Sequence, residues 1–297
     1  MPSINQLISA LRPINLLLVA VTQLIFFFKF YPSDSPYAPW VLSPPKIYYF
    51  TIVTCLITSA GYLINDYFDH ASDSANDKQH KLSRYHSLLL YGILVMVGMG
   101  MSLYLAHSIG RISLSLIYVG ATLMLYLYSV WLKRTVLWGN ITVALFTAGV
   151  LLIFVVAEMN DATWSIEVVL PDGILFFSVF SFLINLLREI IKDIQDLKGD
   201  KAAGYLTLPI RYGVKVSTQV AGMVLFMLIT SVLIWHYSLT SDFCSPTLRH
   251  LLIALFLYIP LIALGRYLIR PCQDWQWLSR ATKGIMIFGL ILVFLFY

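Results

Sequence analysis

"YYFTIVTCLITSAGYLINDYFDHASD", residues 48–73, starts as an apolar run and ends as an acidic one. A helix crosses the hydrocarbon of a bilayer with about 20 mostly apolar residues, and residues 48–66 supply that length. Asp66, Asp69 and Asp73 follow where the segment ends. The C-terminal end of a helix is already partly negative, so acids there are disfavoured. Like charges spaced three and four apart on a helix also repel. A chain that keeps three carboxylates at such a place has a use for them.

The rest of the sequence repeats the apolar theme. Of its 297 residues, 59% are hydrophobic and 12% charged, and the mean hydropathy of +0.79 exceeds what a soluble domain needs to fill one core. Spans are expected near 14–30, 48–66, 87–106, 112–132, 139–157, 172–192, 216–238, 250–268 and 284–297, the last of them short. Alternation with a period of two is absent, which argues against a β-barrel. The first span is too long for a signal peptide and no small-residue cleavage site follows it. The expected fold is therefore all-α, a polytopic membrane helical bundle of about nine transmembrane helices forming a single domain over 1–297.

Lys and Arg favour cytoplasmic loops. With the N-terminus inside, one side receives Arg12, Lys78, Lys81, Arg84, Lys133, Arg134, Arg188, Lys192, Lys198, Lys201, Arg211, Lys215, Arg266, Arg270, Arg280 and Lys283. The other side receives only Lys29, Lys46, Arg111 and Arg249. The N-terminus and the ends of spans 2, 4 and 6 are thus expected in the cytoplasm, and the net charge of +5 reflects topology and needs no nucleic-acid partner. Cys55, Cys244 and Cys272 fall in a span, outside and inside, which disfavours a disulfide framework. The Pro- and Ser-rich stretch 31–45 reads as an irregular connection.

A weak internal repeat ties the opening stretch to a second one. Aligning Asn65 with Lys192 matches Asp66 to Asp193, Asp69 to Asp196 and Asp73 to Asp200. Both sets sit at the expected cytoplasmic end of a span. With Asp77 and Glu189 added, eight of the fifteen acids of the chain lie in these two clusters. On an uninterrupted helix each set would form one acidic stripe, within an arc of roughly 60–80°. A bound cation would relieve the repulsion. Hard carboxylate oxygens suit Mg²⁺, which takes one or two carboxylates, keeps waters and completes its shell with phosphate oxygens. Two such stripes could hold one diphosphate through shared metal ions. The competing readings are solvated boundary residues and an ion path through a transporter, although acids near spans are usually functional and spans 1, 3, 5, 7 and 8 show no mid-membrane acid and few Gly/Pro interruptions at paired positions.

These residues, in this order, resemble the UbiA superfamily of intramembrane prenyltransferases. Its first signature, N-D-x-x-D-x-x-x-D, is met by Asn65, Asp66, Asp69 and Asp73. Its second, D-x-x-D-x-x-x-D followed by G-x-x-T-L-P, is met by Asp193, Asp196 and Asp200 and then Gly204, Thr207, Leu208 and Pro209. "YSVWLKR" at 128–134, with "GN" at 139–140, is similar to a further family block. Where many members carry an Arg-Pro element after the first motif, this chain has "NDKQHKLSRYHS", and Lys78, Lys81 and Arg84 are candidates to replace it.

The resemblance implies a polyprenyl diphosphate substrate, with its tail in a lateral prenyl chamber among apolar helices and its head at a cytoplasmic active-site mouth. It implies Mg²⁺, two ions bridging diphosphate, held by the six aspartates Asp66, Asp69, Asp73, Asp193, Asp196 and Asp200. It also implies substrate contacts from Asn65, Tyr128, Lys133, Arg134 and Lys192, although positive-inside anchoring competes for the cations, charge balance beside Asp193 for Lys192, and an interfacial aromatic role for Tyr128. Arg12, Pro13 and Asn15 resemble the start of span 1 in relatives, where an acceptor-side role competes with snorkelling of the Arg to headgroups. The acceptor is lipophilic or aromatic. "REIIKDIQDLKGD" at 188–200 looks most like the branch that transfers geranylgeranyl to geranylgeranylglyceryl phosphate, with quinone-precursor rings such as hydroxybenzoate or dihydroxynaphthoate as the alternative. A membrane terpene cyclase, which needs no acceptor, and an ion-coupled transporter are the rival classes. The expected location is the inner or plasma membrane of a prokaryote.

Overall fold

The apolar runs fold as helices. A computed structural model of the chain describes residues 3–30, 41–76, 82–160, 165–166, 172–239, 245–270 and 273–296. Asp77, Lys78, Lys81, Cys244 and Cys272 lie outside the described residues, as does most of the 31–45 connection. Among the described residues the structure is all-α apart from a two-residue antiparallel pairing of β1 (Met159–Asn160) with β2 (Ser165–Ile166). Among the described residues eight helices are long and apolar enough to span a bilayer, and a ninth is obtained if the first two helices, bent by 51°, count as one. The protein is an integral membrane protein.

The chain divides into two compact units, one built from the described residues of 1–132 and 150–171, the other from those of 133–149 and 172–297. The first holds α1 (Ile4–Ala10), α2 (Pro13–Phe30), α3 (Pro44–Phe68), α4 (His70–Ala75), α5 (Arg84–Ile109) and α6 (Ile112–Val130). Proline at the first helical position, which has no intrahelical partner for its N–H to lose, opens both α2 and α3. Helix α3 is central and packs on α2, α5 and α6. Its Phe50 lies 4.9 Å, ring centre to ring centre, from Phe154 of α7 (Trp138–Glu158). Several buried polar side chains bond within the unit, as hydrocarbon favours. Gln23 donates to Thr54 Oγ1 (3.2 Å) and to the carbonyl of Val150 (3.0 Å), and Thr54 meets the Tyr118 hydroxyl at 2.8 Å.

Glu158 ends α7 at 0% exposure. Its carboxylate accepts the N–H groups of Val41 (2.8 Å) and Leu42 (3.4 Å) just ahead of α3. This acid is a structural clamp on the backbone that enters the longest-buried span of the unit.

The second unit holds α8 (Asp172–Gln195), α9 (Leu197–Ala202), α10 (Leu208–Ser238), α11 (Pro246–Ile253), a π-helical turn over Ala254–Tyr258, α12 (Ile259–Leu268) and α13 (Trp275–Phe296), with the first half of α7. Helix α8 packs on α10 and α13; Phe176 stacks on Trp235 with ring centres 4.4 Å apart. Gly213, at φ 83°, breaks α10 after its first residues, a backbone setting that costs glycine little and other residues more. Phe226, Ile234 and Met223 are exposed in mid-helix, as expected of side chains whose solvent is lipid.

The ninth span is not short. Helix α13 has 22 residues and starts at Trp275, ahead of the expected 284. Arg280 and Lys283 interrupt the apolar run but not the helix, because Leu278, Ser279, Thr282 and Ile285 are buried at helical spacing.

Candidate active site

Both acidic motifs lie across a helix break. Helix α3 ends at Phe68, Asp69 takes φ −80° and ψ −4°, and α4 begins with Asp73 in its first turn. Helix α8 ends at Gln195, Asp196 takes φ −92° and ψ 8°, and α9 begins with Asp200 in its first turn. The backbone stays coiled through each break: Asp69 N–H reaches Asn65 O at 2.9 Å and Asp73 N–H reaches Asp69 O at 2.9 Å. The counterparts, Asp196 to Lys192 and Asp200 to Asp196, are 2.8 and 3.0 Å. Each motif therefore runs from the end of a long helix into a six-residue one, and the uninterrupted helix on which a single stripe depends is absent among the described residues. The physical gain is electrostatic. The third acid of each motif now faces the positive start of a helix rather than the negative end of one.

In the first unit each leading acid has a dedicated partner. Arg12, at the bend between α1 and α2 with φ 52°, pairs with Asp66 (Nη2 to Oδ1, 2.5 Å). Its guanidinium also lies over the Tyr62 ring, 4.7 Å from the centre. Asn65 donates to Asp69 Oδ2 at 2.7 Å, and Asp69 is only 8% exposed. Tyr128, near the end of α6, is within electrostatic reach of Arg12. Arg84 opens α5 with its guanidinium 5.5 Å from the Tyr67 ring centre, beside the motif.

The second unit repeats the principle with other residues. Asn140, in the first turn of α7, donates to Asp193 Oδ2 at 2.9 Å. Asp200 is buried, and its carbonyl accepts the Tyr205 N–H at 2.9 Å. Lys133 and Arg134, on a single 3₁₀ turn over Leu132–Arg134, place their cations 5.6 and 5.5 Å from the Tyr205 ring centre. The Arg134 carbonyl accepts the Leu206 N–H at 2.9 Å, which joins this turn to the G-x-x-T-L-P segment. Lys192 is engaged by Glu189, with Nζ at 3.0 and 2.8 Å from its two oxygens.

Among the described residues no three His, Cys, Asp or Glu side chains gather closely enough to hold a metal by themselves. The donor set still suits a hard cation. It consists of carboxylate oxygens without thiolate or imidazole, and Mg²⁺ ordinarily takes one or two of these per site and draws the rest of its shell from water and phosphate.

Sequence reasoning brought the acids together but missed several partners. Asn140 stood in the quoted "GN" pair without a role. Tyr62 and Tyr205 carried no signal, since aromatic residues are frequent throughout the chain. Glu189 was counted among the acids, yet its pairing with two cations needed the structure.

Two acidic breaks of one design in an all-helical membrane protein narrow the class, and comparison with known proteins gives it. The UbiA prenyltransferase family matches residues 36–282. The chain belongs to that family and is a membrane-embedded prenyltransferase. It is similar over nearly its whole length to the digeranylgeranylglyceryl phosphate synthase of Methanothermobacter thermautotrophicus, at 29% identity covering 98% of this chain and 94% of that protein. The enzyme of the same name from Sulfurisphaera tokodaii is 30% identical, covering 86% of each. Among solved structures, one concerned with digeranylgeranylglyceryl phosphate synthase in membranes matches with a TM-score of 0.68 at 23% identity over 99% of both chains. A UbiA homologue from Archaeoglobus fulgidus bound to GPP and Mg²⁺ matches with a TM-score of 0.61 at 14% identity, over 97% of this chain and 99% of that one. At these identities the two structures speak for the fold.

Proposed function

We propose that this protein transfers a geranylgeranyl group from its diphosphate to the free glycerol hydroxyl of geranylgeranylglyceryl phosphate. The observation that carries the prenyl-transfer reading is the pair of acidic helix breaks with identical spacing, each holding a buried carboxylate. The similarity to two digeranylgeranylglyceryl phosphate synthases over most of the chain supports the acceptor. All six aspartates would hold Mg²⁺, two ions in number, and the bound metal would supply positive charge that stabilises the departing diphosphate. Asn65 and Asn140 orient Asp69 and Asp193, because an amide donating to one carboxylate oxygen fixes which way the other faces. Lys133 and Arg134, steadied against Tyr205, add cationic hydrogen bonds to diphosphate oxygens, and Tyr128 lines the same site.

The allylic C1–O bond breaks, diphosphate leaves with the electron pair, and the acceptor hydroxyl oxygen forms the ether bond and gives up its proton to the departing diphosphate. Apolar helices around the tail exclude water that would otherwise capture the cation. The acidic motifs face the cytoplasm, and the protein resides in the plasma membrane of a prokaryote. The test is turnover by purified protein in detergent with geranylgeranyl diphosphate and a panel of acceptors, read by product mass. Ether product with the glyceryl phosphate acceptor is expected. Product only with an aromatic ring acceptor, or cyclised product without any acceptor, would overturn the assignment.

A further inference from the structure

Arg188, Glu189 and Lys192 form a charged cluster inside α8 that the chemistry above does not use for the donor. Arg188 lies about 10 Å along the axis from Gln195, at 1.5 Å per residue, on a segment that spans the membrane. Ionisable groups at such depth are costly and mark function. Glu189, 7% exposed, accepts from Arg188 Nη1 at 2.8 Å and from Lys192 Nζ at 2.8 Å. Glu189 bridges the two cations, and Asp193 lies within electrostatic reach of Lys192, so of the two cations Arg188 stands farther along the helix from the acidic motif. Arg188 Nε is buried without a hydrogen-bond partner, whereas nearly all buried donors have one. With Nη1 committed to Glu189, the Nε–Nη2 edge of the planar group remains, and that edge is the fork that fits two oxygens of one phosphate. Lys192 stands four residues on, one turn along the same face.

The substrates explain why a second anion subsite is needed. The donor diphosphate departs with the electron pair and is served by metal. The acceptor phosphate takes no part in bond making, carries about −1.5 to −2 charges near neutral pH, and would be repelled by the six aspartates. It needs cations of its own.

We propose that Arg188 and Lys192, held one turn apart by Glu189, bind the phosphate of the acceptor lipid and select a phosphate-bearing acceptor over a neutral one. This rests on the prenyl-transfer reading. Glu189 is a positioning residue: its carboxylate keeps the two cations from repelling each other and aims the Arg188 fork.

The experiment compares two acceptors on the purified full-length protein with geranylgeranyl diphosphate as donor: geranylgeranylglyceryl phosphate and the same lipid without phosphate. Wild type is expected to favour the phosphorylated acceptor. Arg188→Gln and Lys192→Gln are each expected to raise its KM about 10- to 100-fold, the worth of a hydrogen bond to a charged group. For Arg188→Gln the KM for donor and for the phosphate-free acceptor should stay within about twofold of wild type. Arg188→Lys, which keeps charge and loses the fork, is expected to fall between, and Glu189→Gln to raise acceptor KM with kcat retained. Equilibrium binding of a thiodiphosphate donor analogue reports the fold of each variant independently of turnover. A rise in donor KM instead, equal use of both acceptors by wild type, or loss of donor binding in both Arg188 variants would overturn the subsite. Absence of diphosphate release with every acceptor would instead remove the prenyl-transfer reading itself.

Discussion

Two amides and two carboxylates define how the site is held at the level of single residues. Asn65 donates to Asp69 and Asn140 to Asp193, so each acidic motif has one acid whose orientation is fixed by a neutral neighbour. Asn65→Ala or Asn140→Ala is expected to lower activity or Mg²⁺ affinity about 10- to 100-fold, the usual cost of losing a partner of a metal-binding side chain. A Mg²⁺ titration of turnover measures both, and a rate within twofold of wild type at every Mg²⁺ concentration would refute the orienting role. Asp69→Ala and Asp196→Ala should abolish transfer while the protein still inserts and elutes as wild type does. Full turnover in either variant would remove the carboxylates from the mechanism. The acids themselves were legible in the sequence because their spacing is repeated. Asn140 was not, since 53 residues separate it from Asp193 and only packing brings the two together. Arg12 was visible as a motif residue, but its ion pair with Asp66 depends on a bend that hydropathy does not register.

Helices meet at contacts that leave no room for growth. A Cβ added at Gly289 would fall 2.5 Å from Phe180 Cε1 and 2.8 Å from its Cζ, and Phe180 is fully buried between α8 and its neighbours. Gly289→Ala is expected to destabilise by about 1–3 kcal/mol through overpacking, read as a lower thermal midpoint in detergent. Gly149→Ala is the matched comparison, because an added Cβ there meets nothing within 4 Å and alanine is the better helix former. Equal midpoints for the two variants would deny that α8 and α13 are tightly packed. At the other end of α7, Glu158→Ala should cost about 1.5–3 kcal/mol, the worth of a charge-assisted hydrogen bond, and should leave the KM for donor unchanged. The eight spans among the described residues, and the ninth that the bent first pair makes if counted as one, were legible from apolar length alone, since a membrane helix must satisfy its own backbone. Their ends were not. Helix α13 runs through Arg280 and Lys283, and both acidic motifs contain a break at the middle aspartate that no turn residue announces.

The whole molecule is an integral membrane prenyltransferase, and the proposed role of its aspartates makes its chemistry depend on a divalent ion. Chelation is expected to stop turnover and added Mg²⁺ to restore it, whereas undiminished rates after exhaustive chelation would count against the proposed role of the aspartates. The class of protein was readable from two motifs and a hydropathy profile because both express hard constraints, bilayer thickness and the repulsion of clustered like charges. The partners of the charges were less readable. Arg188, Glu189 and Lys192 sit in a segment whose sequence says only that three ionisable residues share a membrane helix.

Helix α7 belongs half to each compact unit, residues 138–149 to one and 150–158 to the other. A ribosome releases the chain from its N-terminus, so the first unit acquires its last helical segment only when α7 is inserted, and at that moment the first piece of the second unit is already in the membrane. Synthesis therefore cannot finish one unit and then start the next. The half of α7 that carries Asn140 must wait in lipid for α8 to arrive with Asp193, and a stall between residues 160 and 190 would leave that amide without its carboxylate.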